Sequence, residues 1–91
     1  MPQDRVSVEH TETYVGALLE IPSDRTLGHI QMLEAQLAPF PDMGSPMLRP
    51  ALVARFGEGL RKLVVDGYVL VYRHVDDKVD MLAVVPGRSI A

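Results

Sequence analysis

The last third of the chain dictates most of what it can fold into. Three runs with the alternation and β-branched content of strands, LRKLVV (60–65), YVLVYRHV (68–75) and KVDMLAVV (78–85), are separated only by Asp66-Gly67 and Asp76-Asp77. Asp-Gly between β runs is a strong hairpin signal, because both central residues of so tight a turn need positive φ. The expected product is a three-strand antiparallel meander. Two-residue turns set its register by counting: Val65 pairs with Tyr68, Val75 with Lys78, and Arg73 faces Asp80 as a cross-strand charge pair. One face then carries Leu63, Val65, Leu70, Tyr72, Met81, Ala83 and Val85. The other carries Val64, Val69, Val71, Leu82 and Val84, so both faces have apolar centres, whereas a sheet with one solvated face alternates cleanly.

The first half supplies a strand and two helices. Val6 and Val8 alternate with polar residues over Arg5 to Glu9, the period of a half-buried strand. Tyr14, Ala17, Leu18 and Ile21 then fall at helical spacing, with Thr11 or Thr13 as cap and Pro22 as stop. Ser23 or Asp24 caps a second helix whose apolar stripe is Leu27, Ile30, Leu33, Leu37 and Ala38, ended by Pro39 and Pro41. So short a connection predicts an antiparallel helical hairpin. Residues 39–59 hold four of the seven prolines and three of the seven glycines and read as a structured loop, in which Pro50 starts and Gly57 ends one or two helical turns. The expectation is a single α+β domain over residues 1–91, with the hairpin on one sheet face. Val64, Val69, Val71, Leu82 and Val84 are left on the other face, which needs a partner: a second copy or another protein.

With no cysteine in 91 residues, disulfides, thiolate metal sites and a cysteine nucleophile are excluded. No signal-peptide pattern and no apolar run of about 20 residues is present, so a cytoplasmic protein that does not engage a membrane is expected. The net charge of −3 argues against a surface that wraps nucleic acid. The charge is uneven, however: residues 1–48 hold two Lys/Arg and seven Asp/Glu, residues 49–91 seven and five. Any anion-facing surface belongs to the second half.

Residues 59–88, GLRKLVVDGYVLVYRHVDDKVDMLAVVPGR, resemble the C-terminal half of the RelE/ParE toxins, with an Arg leading the second strand, a Tyr-x-x-x-Tyr-Arg strand, an acidic turn and a closing Gly-Arg. Pro41-Asp42-Met43-Gly44 resembles that family's Pro-x-x-Gly loop. The resemblance spans about residues 28–88 and implies the family's fold: an N-terminal strand, a helical hairpin, then the meander. It also implies the toxin component of a type II toxin–antitoxin system, bound by a cognate antitoxin protein. ParE-like members poison DNA gyrase. RelE-like members cut messenger RNA on the ribosome and generally carry an Arg directly after the Gly-Tyr that opens the third strand. Here Val69 follows Gly67-Tyr68, which removes a cation where phosphoryl chemistry needs one. Pro86 precedes Gly87-Arg88, so the family's closing His is absent too.

Arg61 and Arg73 match the ParE-like pattern, and with Lys62 and Arg88 they are the candidates for contact with a target. Each has a plain reading as well: Arg73 has Asp80 opposite, and Arg61 can bridge the meander to the acidic first half. Val64, Val69, Val71, Leu82 and Val84 are the candidates for an antitoxin or dimer interface. Tyr68 and Tyr72 share a face and read as core packing with a hydroxyl at the rim. His10, His29 and His74 have no metal-ligand spacing, no nucleophile set or glycine-rich phosphate loop is present, and neither a metal nor a cofactor is expected. Three functions stay open: a ParE-like toxin that inhibits growth by binding a target, a RelE-like endoribonuclease, and a non-toxic interaction or dimer module.

Overall fold

A computed structural model describes residues 6–87. Strand β1 (Ser7–His10) leads into helices α1 (Glu12–Leu19) and α2 (Asp24–Leu37). Thr11 caps α1, its hydroxyl accepting from the Tyr14 N–H at 3.3 Å and donating to the Met81 carbonyl at 2.9 Å, so one side chain starts the helix and pins it to the sheet. Ser23 caps α2 through the Thr26 N–H. A third helix, α3 (Pro50–Phe56), has Pro50 in its first turn and ends at Gly57, where φ is 93°. The meander follows as β2 (Leu60–Val65), β3 (Tyr68–Val75) and β4 (Lys78–Pro86). Positive φ at Asp66 (50°), Gly67 (83°) and Asp76 (56°) shows why the turns carry those residues.

The sheet order is β1-β4-β3-β2, with β1 parallel to β4 and the other pairs antiparallel. This is the α+β fold expected. Val65 pairs with Tyr68, Val75 with Lys78, and Arg73 with Asp80, as counted from the turns. Beyond Tyr72 the counting fails. A bulge pairs Tyr72 with Met81 but Val71 with Ala83, leaving Leu82 without a partner in the ladder. From Ala83 onward every side chain of β4 therefore lies on the face opposite to the one expected. Val84 joins the hairpin-facing core, and Ala83 and Val85 face the other way.

The hairpin-facing core contains Tyr14, Ile21, Ile30, Leu37, Leu70, Tyr72, Val79 and Met81. The second face is not bare. Helix α3 lies across it, and Leu52, with Leu48 and Phe56 beside it, covers Leu60, Val69, Val71 and Ala83. The hairpin packs on one face as expected, and only the expectation that the other face is left for a partner is corrected. Seven residues of the Pro-rich loop are enough to cover the centre of a sheet this narrow. Val69 and Val71 are buried within the chain itself, Leu82 is half-buried, and only Val64, on the edge strand β2, stands out at 65% exposure.

Candidate functional site

The three basic candidates among the described residues do not converge on one site. Arg61 and Arg73 are close in the β2–β3 ladder but project from opposite faces, since Arg61 pairs with Tyr72 and Arg73 with Leu60. Lys62 lies on the α3 side with Arg73, and Arg88 lies outside the described residues.

Arg61 closes a clamp on the Pro41–Gly44 loop. Its Nη1 donates to the Gly44 carbonyl at 2.7 Å and the Asp42 carbonyl at 3.1 Å, and its Nε lies 3.5 Å from Asp42 Oδ1. His74 Nδ1 donates to the same carboxylate oxygen at 2.8 Å. Tyr72 completes the clamp from below. Its hydroxyl accepts from the Gly44 N–H at 2.9 Å and donates to the Pro41 carbonyl at 2.8 Å, and burial pushes its pKa up. The loop is also stitched to β2, where Ser45 and Lys62 exchange both backbone bonds at 2.9 Å. Arg61 thus holds the bridge to the acidic first half that its plain reading predicted.

The hydrogen bond from His74, with the His74 and Arg61 charges beside it, holds the Asp42 carboxyl below the usual range. A carboxyl lowered in the folded state stabilises the fold fully above its unfolded value near about 4, and that contribution is lost as pH falls through the lower folded value. Asp42→Asn is therefore expected to flatten the acid limb of stability below about pH 4 while leaving the curve's shape near neutrality unchanged, as read from denaturant midpoints across pH. A variant whose acid limb matches wild type removes Asp42 from the clamp. Asp66 is lowered in the same way by the hydrogen bond from His29, at 2.6 Å.

Arg73 is the ladder partner of Asp80 but forms no ion pair with it. Its guanidinium donates to the Phe56 carbonyl and, through Nε at 3.2 Å, to the Glu58 carbonyl, capping the end of α3. Asp80 lies instead 3.6 Å from Lys78 Nζ. The matched arginines of the meander are thus both bound to backbone carbonyls of the 39–59 loop, one on each sheet face. Sequence reasoning passed over Arg49, at the N-cap of α3, and Arg55, in its last turn, both of them exposed. Arg55 rests over the Phe56 ring at 5.0 Å, and among the described residues no carboxylate pairs with Arg49, Arg55 or Lys62. Their signal was positional: both sit in RPALVARF, where one or two helical turns were expected.

At the opposite end of the sheet, Glu34 joins three elements. One carboxylate oxygen accepts from His10 Nε2 at 2.8 Å and the other from the Tyr14 hydroxyl at 2.5 Å, with the His10 and Tyr14 rings stacked 5.3 Å apart. Burial, then the Glu34 bond and charge, raise the Tyr14 hydroxyl well above its ordinary value, so it stays a donor. Each histidine is thereby tied to a carboxylate of a distant element, and among the described residues no three His, Cys, Asp or Glu side chains group as a metal site requires. No helix of the described residues is long and apolar enough to cross a membrane.

Residues 10–91 match the family described as the ParE toxin of the type II toxin–antitoxin system parDE. Among solved structures the chain is similar to one in the RelBE2 toxin–antitoxin complex of Mycobacterium tuberculosis, with 24% identity and a TM-score of 0.72 over 90% of this chain and 98% of that one. It is also similar to a chain of the chromosomal ParDE system of P. aeruginosa, with 16% identity and a TM-score of 0.56 over 91% and 97%. No curated protein matches it. With a match over most of its length and the fold to go with it, the chain belongs to the ParE toxin family of type II toxin–antitoxin systems.

Proposed function

We propose that this chain acts in the cytoplasm as a growth-inhibiting toxin that binds a macromolecular target, DNA gyrase being the first to test, without cutting RNA, and that a cognate antitoxin neutralises it. The observation that carries this reading is Val69. It stands directly after Gly67-Tyr68, where the RNA-cutting relatives hold an arginine, and its side chain is buried under α3. The neighbouring cations do not replace the missing charge, because Arg61 and Arg73 spend their guanidinium donors on loop carbonyls. Among the described residues, what remains for a target is the α3 side, with Arg49, Arg55 and Lys62, and Arg88 stays a candidate beside them.

The test is expression without antitoxin, with primer extension on translated transcripts and a supercoiling assay on purified gyrase. Growth arrest and loss of supercoiling, with no new ends inside codons, are expected. Reproducible cleavage within codons overturns the reading in favour of the RelE-like endoribonuclease. Unimpaired growth favours the non-toxic module.

A further inference from the structure

The two edges of the sheet are closed unequally. On β2, the N–H and C=O of Lys62 point outward and both are bonded to Ser45, so the chain shields the middle of that edge itself. On β1 the odd residues face β4: the Ser7 N–H donates to the Asp77 carbonyl at 3.0 Å and the Thr11 N–H to the Met81 carbonyl at 3.2 Å. Val6, Val8 and His10 therefore direct their backbone groups away from the sheet. The Val6 N–H is taken by the Ala38 carbonyl at 2.9 Å. Those of Val8 and His10 meet no backbone acceptor among the described residues.

Beside those two residues α2 stands back from the strand. The cleft between them measures about 410 Å³ and is lined by Val8, His10, Gln31, Glu34, Ala35 and Ala38. The two alanines allow a backbone to come close. Donors and acceptors repeating every second residue match an extended chain, whereas a helix satisfies its own backbone and leaves them unmet. The cleft lies in the acidic half, with Glu9 and Glu12 exposed nearby. A second copy would bring two acidic surfaces together; a basic segment is attracted.

We infer that the β1 edge receives an extended, basic segment of the cognate antitoxin, which pairs with Val8 and His10 as a fifth strand and sets a small side chain against Ala35 and Ala38. This rests on the antitoxin reading above. The test takes the full chain alone and co-purified with the product of the adjacent gene, and compares residue-resolved amide exchange. Strand addition is expected to slow Val8 and His10 by at least about tenfold on complex formation, with a smaller change at Ser7 and Glu9, whose amides already face β4. Ala35→Arg is expected to weaken the complex by about tenfold or more and Ala35→Glu by less, because the two fill the cleft similarly and differ in charge toward the segment. A complex in which Val8 and His10 exchange as in the free chain overturns the inference alone. Protection of both amides in the free chain assigns the edge to a second copy or to the chain itself and also overturns it. If the adjacent product forms no complex, the antitoxin reading falls and this inference with it.

Discussion

Val71→Asp is expected to unfold the domain. Val71 is 0% exposed and sits on the second sheet face among Leu52, Leu60, Val69 and Ala83, under α3. The substitution forfeits about 1.5–3 kcal/mol of apolar burial. It also forces a carboxyl into a site with no partner, where it is either charged at high cost or held neutral far from its ordinary pKa. Together these exceed about 4 kcal/mol, a large share of the roughly 5–15 kcal/mol that stabilises a domain of this kind. Val64→Asp on the neighbouring strand is the control. Its side chain is 65% exposed, and a change within about 0.5 kcal/mol is expected. Thermal melts followed by circular dichroism check both. A Val71→Asp protein that melts with wild type, and loses only self-association, means that α3 does not cover this face.

Gly44→Ala is expected to cost about 2–4 kcal/mol, more than Tyr72→Phe at about 1–3 kcal/mol. A Cβ on residue 44 would stand 2.6 Å from the Tyr72 hydroxyl, 2.8 Å from its Cε1 and 2.8 Å from the Lys62 carbonyl. Two of those atoms belong to a fully buried ring and the third to backbone, so nothing can yield cheaply. Either Tyr72 leaves, abandoning the Gly44 N–H and the Pro41 carbonyl, or the loop lifts and takes the Ser45–Lys62 bridge and the Arg61 bonds with it. Tyr72→Phe removes the same two bonds but forces no atoms apart. Denaturant midpoints rank the pair, and a Gly44→Ala variant within 0.5 kcal/mol of wild type, roughly the scatter of neutral surface changes, sinks the clamp.

Much of this was legible because it is local chemistry. Asp66-Gly67 and Asp76 announce turns through the φ they must adopt, and the hairpin register follows from turn length alone. Thr11, Ser23 and Pro50 mark helix starts through the donors that a first turn leaves open. The errors arose where a local pattern met a tertiary choice. The strict alternation of Lys78–Met81 dissolves into the apolar run LAVV, which fits either register, and the bulge at Leu82 settled it by giving Ala83 to the crowded face under α3. Asp80 is opposite Arg73 in sequence space and in the ladder, but unpaired carbonyls at the end of a short helix competed for the guanidinium and won. The clamp on Pro41–Gly44 was hinted at by the Pro-x-x-Gly pattern, whereas His74, 32 residues from Asp42, carried no signal. The parallel pairing of β1 with β4 was not read from the sequence either.

That pairing has a consequence for the order of events in synthesis. Ser7 is matched with Lys78 and His10 with Met81, so the second strand of the sheet, counted from its β1 edge, is the last to be made. Loop closure over some seventy residues is slow and entropically costly compared with forming either hairpin, and it cannot start until the chain has been extended through β4. Until then Thr11 has no Met81 carbonyl to hold, α1 has no anchor on the sheet, and the hairpin-facing core lacks Val79 and Met81. The nascent chain therefore lacks its finished sheet until β4 has been made. Under the proposed function, an antitoxin already present when β4 emerges would meet this chain just as its sheet first closes.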